Sequence, residues 1–127
     1  MKKVLVADDS AMSRMIVLRC LEMAGLKPEE AIQAGNGKEA LELALALGPD
    51  LIIADLNMPV MGGEDLLAAV KAEPRLKDTP VLIVSSALNP DRAARLLSMG
   101  AMGTLLKPVS PPGIRRALAA RFGKEGG

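Results

Sequence analysis

The chain has no histidine, tryptophan or tyrosine, and only one phenylalanine and one cysteine among its 127 residues. Without histidine it lacks the commonest general base and metal ligand, so a metal site would need oxygen ligands and a hard cation. The single cysteine, Cys20, excludes an internal disulfide and favours a reducing, cytoplasmic setting. Because aromatic residues are so scarce, the core must be built from Leu, Ile, Val, Ala and Met.

The charges nearly cancel, with 16 basic and 15 acidic residues and a net charge of +1. This balance is unlike the basic footprint of a nucleic-acid-binding protein, so we expect no nucleic-acid partner. No apolar run approaches the roughly 20 residues of a membrane helix, and we expect no membrane contact. The basic start at Met1–Lys3 is soon followed by two aspartates, which argues against a signal peptide. The length predicts a single domain over residues 1–127.

Five short apolar segments alternate with five segments whose apolar residues recur at helical spacing. The predicted strands cover residues 4–7, 31–34, 51–54, 81–84 and 104–106, and a predicted helix follows each. Such alternation is typical of a parallel sheet with helices on both faces. The segment 31–34 is the weakest strand and is expected at an outer edge. Residues from Gly123 onward are expected to form a frayed tail.

Polar residues mark the helix starts. Three N-caps are predicted at Ser10, Asn36 and Asn89, and Ser110-Pro111 is predicted to start the last helix. Glu39 is placed like the acidic residue of a capping box with Asn36. In the first helix, apolar residues recur at steps of three and four and are predicted to form its buried face. These residues are Met12, Met15, Ile16, Cys20 and Met23. We therefore expect Cys20 to be a core residue rather than a reactive thiol.

The stretch Leu51–Pro59 places a carboxylate at the end of an apolar run. A run of this kind predicts a strand buried on both faces, so Asp55 should lie at the carboxyl end of a central strand. Ligands bind at that edge of open α/β sheets, but Asp also commonly ends a strand and starts a turn. This segment alone leaves both interpretations open.

Polar residues also follow the other predicted strands, and the full set is Asp8, Asp9, Asp55, Asn57, Ser85 and Lys107. A parallel sheet brings these strand ends to one edge. Three carboxylates there would repel one another, and a divalent cation or an ammonium would relieve this. Mg²⁺ fits because it prefers oxygen ligands and is often shared with a phosphate. With Lys107 and Ser85 as donors, the set predicts phosphoryl transfer with Asp55 as nucleophile.

The motifs in chain order are Asp8-Asp9, Asp55-x-Asn57-Met58-Pro59-x-Met61-x-Gly63, Ser85 and Lys107-Pro108. This pattern resembles the receiver domain of bacterial two-component response regulators, and is most similar to the stand-alone, CheY-like type. The resemblance covers about Lys2 to Phe122. It implies an α/β, flavodoxin-like, doubly wound parallel sheet of five strands in the order 2-1-3-4-5, with five helices.

The resemblance also implies roles for these residues. Asp55 would accept a phosphoryl group from a phosphohistidine on a histidine kinase or histidine phosphotransfer protein. Asp9, Asp55 and the carbonyl of Asn57 would hold Mg²⁺ directly, and Asp8 mostly through water. Ser85 and Lys107 would contact the phosphoryl oxygens. The face formed by the fourth helix, fifth strand and fifth helix would then rearrange and bind an output protein, with the receiver itself a monomer.

Three positions depart from the family pattern. Ser85 stands where the family usually has Thr, but it keeps the hydroxyl. Thr104 and Val109 stand where the family often has aromatic residues. The coupling from Ser85 to the output face is therefore expected to use a smaller side chain or the backbone.

Two other functions would also use such residues. A phosphatase of the haloacid dehalogenase type also has a strand-end Asp nucleophile, but its second acid would stand where this chain has Asn57. A purely structural interaction domain could also keep all these residues without being phosphorylated by a kinase. The resemblance favours a signalling domain that catalyses only its own phosphorylation and dephosphorylation.

Overall fold

The computed structural model describes residues 1–122, in which five strands alternate with five helices. The strands are β1 (Lys3–Ala7), β2 (Glu30–Ala34), β3 (Leu51–Asp55), β4 (Val81–Ser85) and β5 (Gly103–Leu106). The helices are α1 (Ala11–Met23), α2 (Gly37–Leu47), α3 (Gly63–Ala72), α4 (Pro90–Ser98) and α5 (Pro111–Phe122). The tail predicted from Gly123 onward lies outside the described residues.

All strand pairs are parallel, and the sheet order is β2-β1-β3-β4-β5. This confirms the predicted fold class and the outer position of β2. The register also fixes the site, because Ala7 pairs with Ala54 and Ser85 pairs with Leu106. The residues that follow β1, β3, β4 and β5 therefore emerge side by side at one edge.

Two apolar layers cover the two faces of the sheet. Leu5, Ile52 and Ile83 point into one layer, together with the buried faces of α2, α3 and α4. Val4 and Ile53 point into the other layer, with α1 and α5. Because both faces are covered, the central strands are continuously apolar instead of alternating.

The prediction that the methionines of α1 lie on its buried face is wrong. Met12, Met15 and Met23 are 72%, 67% and 66% exposed, and Ile16 is 46% exposed. Cys20 is buried as predicted. The other buried residues of the α1 segment are Val17, Leu21 and Ala24. The helix carries two apolar stripes, and periodicity alone could not show which one packs against the sheet.

The predicted N-caps are confirmed by hydrogen bonds from the backbone N–H three residues later. The Ser10 hydroxyl accepts at 3.2 Å, and the side-chain oxygens of Asn36 and Asn89 accept at 2.8 Å and 2.7 Å. At the predicted start of the last helix, the Ser110 hydroxyl accepts from the Gly113 N–H at 3.1 Å. The Glu39 carboxylate accepts from the N–H of Gly35 at 2.8 Å, one residue before the N-cap. The capping box is thus present in a shifted form.

Candidate functional site

The carboxylates of Asp8, Asp9 and Asp55 converge at the carboxyl edge of the sheet. Each offers an oxygen that lies within 4.8 Å of the corresponding oxygens of the other two. Asp8 is buried and follows β1, Asp55 ends β3, and Asp9 is exposed at the rim. The strand ends therefore bring together the acidic cluster that the sequence predicts.

Asp8 is held by four hydrogen bonds around its backbone and side chain. Its N–H donates to the Ala34 carbonyl at 3.0 Å, and its Oδ1 accepts from the Ser10 N–H at 2.9 Å. Its Oδ2 accepts from Lys107 Nζ at 2.8 Å. Its carbonyl accepts from the Arg14 guanidinium at 2.7 Å. Both carboxylate oxygens of Asp8 thus already have protein donors.

Arg14 is a site residue that sequence reasoning missed. Besides its bond to Asp8, its Nε donates to Gln33 Oε1 at 2.9 Å, so it ties α1 to the strand β2. The available signal was a basic residue one turn after the N-cap of a helix that follows an acidic pair. Arg14 fixes the backbone from which Asp8 projects.

Lys107 lies over the acidic cluster, where the sequence analysis places it. Its ammonium is 2.8 Å from Asp8 Oδ2 and 3.5 Å from Asp55 Oδ1, so Asp8 is the closer partner. Burial lowers the pKa of Lys107, but the hydrogen bond that its ammonium donates to Asp8 and the charges of both carboxylates outweigh burial and raise the pKa. The lysine is therefore held in its cationic form.

Asp55 is the carboxylate whose ionisation the site disfavours. Burial raises its pKa above the ordinary value, and the negative charge of Asp8 raises it further. The ammonium of Lys107 and the Leu56 N–H lower the pKa but do not fully compensate. Additional positive charge beside Asp55 would therefore favour its ionised form.

Ser85 ends β4 at the same edge and is fully buried. Its hydroxyl oxygen accepts from the Ala87 N–H at 3.1 Å, which ties it to the loop before α4. Asn57 is exposed two residues beyond β3. Thr104 pairs with Ile83 in β5, and Val109 packs against the core layer of α1 and α5. All six predicted residues therefore lie at or just beyond strand ends on one edge.

The loop between β3 and α3 makes close backbone contacts that require glycine. The Gly63 N–H donates to the Leu56 carbonyl at 3.0 Å, and a side chain at Gly63 would collide with the Asp55 carbonyl. The Gly37 N–H donates to the Met61 carbonyl at 2.8 Å, which fixes the loop to α2. Val60 has a φ of 68°, an unusual value for a β-branched residue. This loop holds the backbone directly beyond Asp55.

Sequence comparison assigns the family. The family model described as the response regulator receiver domain matches residues 4–119. The chain belongs to this family. It is 40% identical over 114 residues to the two-component response regulator ORR3 of Oryza sativa subsp. indica, covering 89% of this chain and 85% of that protein. It is 38% identical over 113 residues to ORR6 of Oryza sativa subsp. japonica, covering 89% of this chain but 66% of that protein.

Structural comparison agrees with this assignment. The receiver domain is similar to the chemotaxis protein CheY4 of Vibrio cholerae, with a TM-score of 0.81 and 36% identity. The alignment covers 94% of this chain and 98% of the CheY4 chain. The predicted CheY-like receiver fold is therefore confirmed. Within residues 1–122, no helix of the receiver domain is both long enough and apolar enough to cross a membrane.

Proposed function

We propose that Asp55 accepts a phosphoryl group from a phosphohistidine on a histidine kinase or histidine phosphotransfer protein, in a reaction that requires Mg²⁺. The phosphorylated protein then changes its binding to an output protein. The observation that carries this proposal is the Lys107 ammonium placed against both Asp8 and Asp55 within a cluster of three carboxylates.

The donor atoms of the cluster fit a hard divalent cation. They are carboxylate oxygens, and three acidic groups exceed the single ammonium of Lys107. Asp9, Asp55 and the Asn57 carbonyl would hold Mg²⁺ directly. Asp8 would act through water, because its two oxygens already accept from Ser10 and Lys107. When bound, Mg²⁺ neutralises charge on the carboxylates and on the phosphoryl oxygens.

In the transfer step, an Asp55 carboxylate oxygen attacks phosphorus. The new O–P bond forms as the P–N bond to the donor imidazole breaks, and the electron pair of that bond leaves with the imidazole nitrogen. Lys107, 3.5 Å from Asp55, donates to a phosphoryl oxygen and stabilises its charge. The same ammonium favours the ionised nucleophile by opposing the burial that raises the pKa of Asp55.

The switch begins at Ser85. A phosphoryl group on Asp55 adds acceptor oxygens that attract the Ser85 hydroxyl. That hydroxyl is now the acceptor for Ala87, so its movement frees the loop that leads into α4. The surface of α4, β5 and α5 then changes its affinity for an output protein. Because Thr104 replaces an aromatic residue, we propose that the loop backbone carries this coupling. A typical coupling of about 1–3 kcal/mol changes affinity about 5- to 150-fold.

We further propose that residues 1–127 act as one receiver domain, as a cytoplasmic monomer without nucleic-acid or membrane contact. One sheet with two covered faces accounts for the described residues. The near-neutral charge supports the absence of a nucleic-acid partner. The single buried thiol, Cys20, fits a reducing compartment.

Intact-mass measurement after incubation with acetyl phosphate and Mg²⁺ tests the proposed function. We expect one acid- and base-labile phosphoryl adduct, which disappears in Asp55→Asn and when EDTA replaces Mg²⁺. Asp65→Asn removes an exposed carboxylate on α3 and should retain the adduct. An unchanged adduct on Asp55→Asn would rule out Asp55 as the acceptor.

A further inference from the structure

Helix α4 is held to the protein by few buried side chains. Leu96 is its only fully buried residue, whereas α3 buries four, Gly63, Leu66, Leu67 and Val70. Since α4 buries little apolar surface, polar contacts at its sides contribute to its attachment alongside Leu96. The position of α4 therefore depends in part on those contacts.

One acidic residue of α3 contacts two basic residues of α4. The Glu64 carboxylate lies 3.1 Å from the Arg95 guanidinium and 3.7 Å from that of Arg92. The Glu64 side chain is 26% exposed, compared with 66% for Arg95 and 46% for Arg92. The carboxylate is thus the partly buried centre of an ion-pair cluster that bridges the two helices.

The two sides of this cluster are tied to different parts of the phosphorylation site. Glu64 follows Gly63, whose N–H bonds the Leu56 carbonyl directly beyond the phosphoacceptor strand. Arg92 belongs to the first turn of α4, and its N–H donates to the N-cap Asn89. The loop before that cap is held by the bond from Ala87 to Ser85. A movement of the loop that carries α4 with it would change the distance between Glu64 and the arginines.

We propose that Glu64, Arg92 and Arg95 form a latch that holds α4 in its unphosphorylated position and sets the threshold for the switch. This inference rests on the proposed function of Asp55. In the unphosphorylated protein the latch opposes movement of α4. When the loop rearranges, the guanidiniums separate from Glu64. The latch therefore stabilises the unphosphorylated state and not the phosphorylated one.

Amide hydrogen exchange across α4, measured by mass spectrometry, tests the latch. Glu64→Gln keeps the shape of the side chain but removes its charge. We expect α4 exchange in the unmodified protein to rise about two- to fivefold, the range for loss of exposed ion pairs. With beryllium fluoride and Mg²⁺ bound as a phosphoryl mimic, wild-type and variant should exchange equally, because the latch is already open.

Glu73→Gln is the matched control, because Glu73 makes an ion pair with Arg75 at 3.7 Å that does not involve α4. This variant should leave α4 exchange unchanged with and without the mimic. The full charge swap, Glu64→Arg with Arg92→Glu and Arg95→Glu, should restore slow exchange in the unmodified protein, because both ion pairs of the cluster are rebuilt with reversed charges.

Two results would overturn the latch. One is that α4 of the unmodified Glu64→Gln variant exchanges at the wild-type rate. The other is that α4 exchange in the variant exceeds wild type by the same factor with and without the mimic, as expected of a purely structural ion pair. Failure of the mimic to bind wild-type protein would instead contradict the proposed function, and the latch with it. The two failures are thus distinguishable.

Discussion

The acidic cluster should destabilise the protein when no cation is bound, and Asp55→Asn tests this. Burial and the charge of Asp8 raise the pKa of Asp55 above its ordinary value of 3.8 despite Lys107. The native state therefore holds this proton more tightly than the unfolded chain does. Ionisation of Asp55 therefore lowers the free energy of unfolding as the pH rises from the pKa in the unfolded chain to the raised pKa in the native protein. A neutral amide should thus stabilise the protein at neutral pH and have little effect below about pH 3.

The expected effect follows from comparing the charge pairs of Asp55 with its burial. Two unit charges at the 4.8 Å limit of the cluster repel by about 0.9 kcal/mol in water and about 3.5 kcal/mol at an effective dielectric constant of 20. The attraction between Asp55 and Lys107 at 3.5 Å is about 1.2 and 4.7 kcal/mol on the same two scales, so it cancels the repulsion from Asp8. Burial of the Asp55 carboxylate therefore decides the sign. We expect a gain of about 1 kcal/mol in the free energy of unfolding, or about 3–5 °C in melting temperature for a chain of this size.

Thermal and urea unfolding in EDTA and in 10 mM Mg²⁺ measure the effect. If Mg²⁺ binds wild-type protein with a dissociation constant of about 1 mM, it adds about 1.4 kcal/mol. Asp55→Asn lacks one ligand and should gain less stability from Mg²⁺. The difference in free energy of unfolding between the variant and wild type should therefore narrow or reverse. Glu42→Gln removes an exposed charge on α2 and should shift stability by no more than about 0.5 kcal/mol. The reasoning is refuted if Asp55→Asn is less stable in EDTA, or gains as much from Mg²⁺ as wild type.

Three further changes have distinct expected outcomes. Val60→Asn should raise the free energy of unfolding by about 1 kcal/mol, since Asn tolerates the φ of 68° far better than Val; an unchanged urea midpoint would contradict this. Gly63→Ala should cost about 2 kcal/mol or more, because its methyl group collides with the Asp55 carbonyl, and urea unfolding would expose the error if the variant were as stable as wild type. Ser85→Ala should keep the phosphoryl adduct by intact mass but lose the change in α4 exchange on phosphorylation; a retained change would exclude Ser85 from the coupling.

The residues at the carboxyl edge of the sheet could be predicted because the sequence pattern that indicates each strand end is local. Each strand is a short apolar run, and a polar residue such as Asp55 or Ser85 stands at its end. Parallel pairing then brings those ends together, whatever the loops between them. This is why residues as far apart as Asp8 and Lys107 could be assigned to one site from the chain alone.

Other features depend on packing that periodicity does not encode. The exposed methionines of α1, such as Met12, follow the same helical spacing as the buried Val17 and Leu21. The contacts of Arg14 with Asp8 join residues on two different elements, as do those of Glu64 with α4. No spacing rule within one helix indicates such contacts.

The central claim is that Asp55 is phosphorylated in a site that needs Mg²⁺. Borohydride reduction after acetyl phosphate treatment converts an aspartyl phosphate to homoserine, and peptide mapping then locates it. We expect homoserine at position 55 with Mg²⁺ and none with EDTA. Homoserine at another aspartate, or equal conversion of Asp55 in EDTA, would contradict it.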